Sequence, residues 1–170
     1  VGDLALEEMA AARDPALVPL GAAIPGADLL PLKALSRTLA GTARREVAAA
    51  GRYESSQGNP ELRRQVARRL REAGVRADPD AVVITNGCME AVTLSLRTVA
   101  GPGDVVAIES PSYYGVLQAI EALGMHALEV PTHPRTGIDL DALERLLAGG
   151  GVAACLVMPN FNNPFGSAMT

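Results

Sequence analysis

Four short runs dense in Val, Ile and Leu mark the chain from residue 80 onward: AVVIT (81–85), VVAIE (105–109), ALEVP (127–131) and AACLVMP (153–159). Each is bounded by turn residues, as buried strands are. Between them lie amphipathic stretches of helical length. In NPELRRQVARRLREAG, Asn59 takes the N-cap position, Pro60 the first helical position, and Gly74 stands just past the end. Leu62, Val66 and Leu70 recur every four residues and predict one buried stripe. SPSYYGVLQAIEALG repeats this grammar, with Ser110 as cap, Pro111 inside the helix and Gly124 as terminator. Such alternation implies right-handed crossovers and a mostly parallel sheet covered by helices, so the predicted fold class is α/β. Residues 1–50 differ: they are rich in Ala and Leu, broken at Pro15, Pro19, Pro25 and Pro31, and predict a helical lead-in followed by an irregular arm.

Composition agrees with an ordinary globular chain. At 170 residues, 48% hydrophobic and 20% charged, there is enough apolar material for a sizeable core. A net charge of −4 argues against nucleic-acid binding by this chain as a whole, although a basic domain elsewhere is compatible with it. Arg63, Arg64, Arg68, Arg69 and Arg71 crowd one helix and read as its solvated face. Cys88 and Cys155 have neither metal-ligand spacing nor a disulfide framework, which fits a reducing, cytoplasmic compartment. His126 and His133 are isolated. No apolar run is long enough to span a bilayer.

Three segments fall where ligands gather in open α/β sheets, at the carboxyl ends of strands. In VVITNGCMEAV a strand runs into Gly87, and a helix is predicted from Cys88 or Met89. A glycine lets the backbone approach closely, and free N–H groups of a first helical turn attract an anion. In IESPSYYG, Tyr113 and Tyr114 follow the strand ending at Glu109, where a ring can lie on a planar cofactor. The chain has only three tyrosines and two phenylalanines, which gives this adjacent pair weight. In MPNFNNPFG, Pro164 holds a turn from which the Asn163 amide can donate to an oxygen above the sheet. Each segment also has a purely structural reading: a turn that binds nothing, a tyrosine packed under a loop, an Asn bonded to its own backbone. No Gly-x-Gly-x-x-Gly follows a predicted strand, so dinucleotide binding is not indicated.

The order YESSQGNPELRRQVARRL, ITNGCMEAVTLSL, PGDVVAIESPSYYG, TGIDLDALERLL, MPNFNNPFG resembles the N-terminal part of the large domain of a pyridoxal-phosphate fold type I aminotransferase, over about residues 20–170. More narrowly, LVPLGAAIPGADLLPLKALSRTLA and TNGCMEAV resemble the MocR branch of the GntR transcriptional regulators, in which a winged helix-turn-helix domain precedes an aminotransferase-like domain. The resemblance divides the chain into a helical lead-in after an interdomain linker, 1–19, and the first portion of an aminotransferase-like domain, 20–170. It gives Gly87, Cys88 and Met89 the cofactor phosphate, Tyr113 the pyridine ring, and Asn163 the phenolic oxygen. It sends Tyr53 to the phosphate of a partner in a homodimer, and Gly21 to the substrate pocket. Pyridoxal chemistry also needs a lysine to attach the cofactor, an acidic residue at the pyridine nitrogen and usually an arginine for the substrate carboxylate. The resemblance implies that all three lie beyond Thr170; the one lysine here, Lys33, is in the N-terminal arm, so this stretch alone is expected not to catalyse transamination. The implied function is a DNA-binding regulator whose effector domain senses pyridoxal phosphate or its adduct with an amino acid or amine. The alternatives are a truncated stand-alone aminotransferase and an unrelated α/β binding domain complete at this length.

Overall fold

The computed structural model describes residues 2–18 and 25–169. The chain divides into two compact units, Glu8–Thr85 and Asn86–Thr170, the latter with Val1–Glu7. The lead-in is helical, as expected: α1 covers Gly2–Ala11. The arm after it, expected to be irregular, is instead largely helical: in the Glu8–Thr85 unit, α2 (Leu32–Arg45), which follows the last breaker Pro31, and the short α3 (Val47–Ala50) precede α4 (Pro60–Glu72).

The cap of α4 forms as its sequence predicts. Asn59 accepts the N–H groups of Glu61 and Leu62 at 3.0 and 3.2 Å, two of the donors that a helix start leaves without intrahelical acceptors. Gly74, at φ 85°, ends it. On the helix surface, hydrogen bonds from Gln65 and then Arg64 hold the Glu61 carboxyl below its ordinary range. The buried face, however, differs from the expected stripe. Leu62 and Leu70 are exposed, and Arg63 and Ala67 are buried in their place. Arg63 Nη1 donates to Gln57 Oε1 at 3.0 Å and to the Pro79 carbonyl at 3.2 Å, with Asp80 Oδ1 at 3.4 Å. A guanidinium with that many acceptors tolerates burial, and Ala67 beside it permits close approach, so this face wins over the leucine stripe.

The expected strand at 81–85 does not form. A 3-10 turn covers Pro79–Ala81, and the residues after it hydrogen-bond to a loop rather than to a strand. The Ile84 N–H donates to the Gln57 carbonyl at 2.9 Å. Gly58, at φ 90°, lies so close that a Cβ there would be 2.7 Å from Ile84 Cβ. Without a neighbouring strand among the described residues, an apolar β-rich run has no ladder to join.

The Asn86–Thr170 unit is the α/β layer structure that the alternation predicts. In order it contains α5 (Cys88–Val99), β1 (Val105–Ser110), α6 (Tyr114–Ala122), β2 (His126–His133), β3 (Gly137–Ile138), α7 (Leu140–Ala148) and β4 (Val152–Leu156). The sheet order is β3-β2-β1-β4. β1 pairs parallel with β2 and β4, and the short β3 is antiparallel to β2. β1 is buried on both faces. Val106 and Ile108 face a core with Leu96 of α5 and Val116, Ala119 and Ile120 of α6, while Ala107 faces Val130, Ile138 and Ala142 of α7. This two-sided burial is why VVAIE is a continuous apolar run instead of an alternating one.

One helix start is corrected. Ser110 does not cap α6; it remains in the ladder opposite Pro131, and its hydroxyl donates to Glu129 Oε2 at 2.9 Å. Pro111 accordingly lies outside the helix, and Tyr113 is the N-cap. Gly124, at φ 69°, ends the helix as expected.

Candidate cofactor site

Two neighbouring strands, β1 and β4, and the start of α5 position the candidate residues. Gly87 is the N-cap of α5, at φ 98°, a left-handed conformation that L side chains seldom adopt. It offers no side-chain cap, and a Cβ built on it would meet nothing within 4 Å among the described residues. Cys88 and Met89 form the first turn, whose N–H groups have no intrahelical acceptor. The Asn86 N–H, just before the helix, is held by the Glu90 carboxylate. Backbone N–H groups at a helix start of this kind attract anions in general.

The next residue arrives from the exit of β1. Tyr113 is half-buried, and its ring lies over Gly115, a contact that the sequence does not reveal. A Cβ at Gly115 would sit inside the ring edge at Cε1, 2.9 Å from Cζ and 3.2 Å from Met89 Sδ. The ring of Tyr114 flanks it, with centroids 4.7 Å apart and planes at 48°. Tyr113 is therefore anchored from two sides, and Met89 reaches the same glycine from α5. The structure thus brings Met89, in the first turn of α5 directly after Gly87 and Cys88, to the glycine that Tyr113 covers.

Asn163 comes from the loop after β4, the strand next to β1. Phe161, at φ 53°, turns the chain so that Asn162 points inward and Asn163 outward: Asn162 is 1% exposed, whereas Asn163 is open to solvent. The loop is bonded to itself. Asn162 N–H donates to the Ser167 carbonyl at 3.0 Å, Met169 N–H to the Pro159 carbonyl at 2.8 Å, and Asn162 Oδ1 accepts the Phe165 N–H at 3.4 Å. Sequence reasoning also passes over Glu109, which reads as a polar residue closing a strand. Its side chain is 1% exposed, and Oε2 accepts the Met158 N–H at 2.6 Å. Partial desolvation pushes the thiol of Cys155, on β4, above the ordinary cysteine range although the residue is exposed, and the Glu109 charge adds to the effect.

Two expected residues are not among this group. Tyr53 belongs to the Glu8–Thr85 unit and its side chain is fully exposed. Gly21 lies outside the described residues. Among the described residues no cluster of His, Cys, Asp and Glu could hold a metal ion, and no helix is long and apolar enough to cross a membrane.

The family model for aminotransferase class I and II matches residues 30–170. The chain belongs to that family. Within it, the chain is 44% identical over 160 residues to the uncharacterized HTH-type transcriptional regulator YdcR of Escherichia coli (strain K12), covering 94% of this chain and 34% of that protein. It is 36% identical over 167 residues to the uncharacterized HTH-type transcriptional regulator YjiR of the same organism, covering 98% of this chain and 36% of YjiR. The chain thus spans about a third of the length of these relatives. The crystal structure of LysN, alpha-aminoadipate aminotransferase from Thermus thermophilus, complexed with N-(5'-phosphopyridoxyl)-L-leucine, superposes with a TM-score of 0.75 at 32% identity, over 86% of this chain and 36% of LysN. The family resemblance and the α/β fold read from the sequence both hold.

The site's own features fit pyridoxal phosphate, the cofactor of the family. A helix start whose N-cap is a glycine, with room where a side chain would be, suits a phosphate. A tyrosine ring braced on a glycine suits the face of a planar ring, and an outward Asn amide suits a ring oxygen.

Proposed function

We propose that this chain is the first portion of an aminotransferase-like effector domain that holds pyridoxal phosphate, in a cytoplasmic transcriptional regulator of the MocR type. The observation that carries the reading is the identity to two HTH-type regulators along nearly the whole chain, joined to the cradle at Gly87 and Tyr113. The N–H groups of the first turn of α5, at Gly87, Cys88 and Met89, bind the phosphate. Tyr113 holds the ring plane, and Asn163 donates to the phenolic oxygen. Tyr53 serves the phosphate of a partner chain in a homodimer, and Gly21 lines the pocket for an amino acid or amine effector. When bound, the cofactor supplies an electrophilic carbonyl for such an amine and an electron-withdrawing ring. DNA is read by a winged helix-turn-helix domain of the full-length protein. Lys33, exposed on α2, is not the attachment lysine.

The likeness to LysN favours a second reading, a stand-alone aminotransferase. Promoter DNA separates the two: the regulator retards it in a gel and the retardation responds to pyridoxal phosphate, whereas the enzyme transfers an amino group and leaves the DNA unbound. The cradle is tested by Gly87→Val in the full-length protein. A β-branched residue at a positive φ forces the backbone away from the anion. Charge-assisted hydrogen bonds are worth about 1.5–3 kcal/mol, so losing one lowers pyridoxal phosphate affinity by about tenfold or more. Affinity for phosphate-free pyridoxal changes little. Equal affinity of wild type and variant for the phosphorylated cofactor in a titration would refute the cradle.

A further inference from the structure

β1 and β4 run side by side as far as the pair Ile108 and Leu156. The main-chain ladder stops there, yet the next part of the β4 exit is still tied to β1. The Met158 N–H is taken by the carboxylate of Glu109, 49 residues earlier in the chain, at 2.6 Å. The side chain thus acts where a strand carbonyl would otherwise accept, and it satisfies the N–H of a chain that is already leaving the sheet. The position is costly for a carboxylate. Glu109 is 1% exposed, and its other oxygen, Oε1, has no hydrogen-bond partner among the described residues. A buried acidic group with half its acceptors unused destabilises the fold relative to an apolar side chain of similar size. Packing alone does not account for it.

What the carboxylate holds is a loop hydrogen-bonded to itself. Pro159 and Met169 are bonded across the loop's base, and Asn162 and Ser167 across its middle. Asn163 follows directly on the buried Asn162. Fixing Met158 therefore fixes the height and angle at which Asn163 stands above the strand ends. We infer that Glu109 is a positioning residue for the cofactor: by gripping the Met158 N–H it sets the Asn163 amide against the phenolic oxygen of the bound ring. This inference rests on the proposed role of Asn163 in holding pyridoxal phosphate. It also explains why a glutamate, and not another aliphatic residue, ends the apolar run VVAIE.

The test compares two ligands in the full-length protein by titration: pyridoxal phosphate, and its 3-deoxy analogue, which lacks the phenolic oxygen but keeps ring and phosphate. Wild type is expected to prefer the former by about tenfold, the worth of one hydrogen bond to a charged group. Asn163→Ala removes the preference. Glu109→Leu removes it as well, while affinity for the analogue stays near wild type, and Glu109→Leu with Asn163→Ala together lose no more than either alone. Glu109→Gln, whose amide oxygen still accepts the Met158 N–H, keeps the preference. Should Glu109→Leu fail to fold, Glu109→Asp serves instead, since it retains the charge but is one methylene too short to reach. A structural role alone would weaken both ligands equally in Glu109→Leu or Glu109→Asp, and that result overturns the inference. So does full preference in those variants while Asn163→Ala abolishes it; the proposed site then stands and only the positioning role falls. If wild type and Asn163→Ala bind the two ligands alike, the reading of Asn163 fails and the inference fails with it.

Discussion

Gly115→Ala is a substitution whose sign depends on a residue two positions away. Gly115 is the second residue of α6, and alanine in a helix is favoured over glycine by up to about 1 kcal/mol. Its φ is not in the left-handed region, so the backbone raises no objection. The obstacle is the Tyr113 ring, whose Cζ would stand 2.9 Å from the new methyl and whose Cε1 would overlap it. The ring's lateral escape is limited by Tyr114 on one side, and Met89 Sδ would be 3.2 Å from the methyl. Overpacking of this kind costs about 1–3 kcal/mol, more than the helix gain. Gly115→Ala in the wild-type background is therefore expected to be destabilising, by up to about 2 kcal/mol. In a Tyr113→Ala background the same change is expected to stabilise by up to about 1 kcal/mol, because only the helix propensity remains. The coupling between the two sites, about 1–3 kcal/mol, is read from urea midpoints of the four proteins of the cycle followed by circular dichroism. If Gly115→Ala has the same effect in both backgrounds, the ring does not lie on Gly115, and the account of how Tyr113 is held is wrong.

Two further expectations are independent of any ligand. Phe161 is 83% exposed and sits at φ 53°, where a non-glycine residue carries about 1–2 kcal/mol of strain. Phe161→Gly should therefore keep or raise the urea midpoint, by the equivalent of up to about 1 kcal/mol after the greater chain entropy of glycine is counted, and Phe161→Val should lower it; the reverse order would show that the ring contributes more than the turn. In a Cys88→Ser background, the rate of alkylation of the exposed Cys155 should have its pH midpoint above the usual cysteine value, since partial desolvation and then the Glu109 charge both disfavour the thiolate. Glu109→Gln should bring that midpoint down but not back to the usual value, because desolvation is the larger cause; a midpoint at or below the usual value in the unmodified strand would contradict the placement of Cys155 beside Glu109.

The parts of the fold that were legible are those governed by local rules. Asn59 and Pro60 start α4, Gly74 and Gly124 end helices, and Gly87 with Cys88 opens α5, because caps and left-handed positions constrain single residues whatever surrounds them. What failed depends on partners. Residues 82–85 have strand composition, yet a strand exists only through a neighbour, and the run is fastened to the loop at Gln57 and Gly58 instead. The Leu62, Val66 and Leu70 period is real, but which face of α4 is covered was decided by acceptors for Arg63 at Gln57, Pro79 and Asp80, which no periodicity encodes. At the candidate site, Tyr113 and Asn163 were visible because they follow strands, and Gly87 because a glycine there opens a helix, although the strand expected before it is absent. Gly115 and Glu109 were not. One matters only because a ring folds back on it, and the other because of an N–H far along the chain.

The exit of β1 also determines how the molecule would respond to an insertion. Glu109 reaches toward β4, Ser110 toward Glu129 on β2, and Tyr113 toward Gly115, all within a few residues of one strand end. Since successive residues of a strand face opposite sides, one extra residue inside Val105–Ser110 would exchange the faces of everything after it. The carboxylate would leave the Met158 N–H, the hydroxyl would leave Glu129, and the tyrosine would be carried away from its glycine. The same insertion in the turn at 134–136, between β2 and β3, alters the length of a surface loop and little else. One strand of six residues is in this sense the origin from which three otherwise unrelated positions are measured, and moving an origin displaces every coordinate at once.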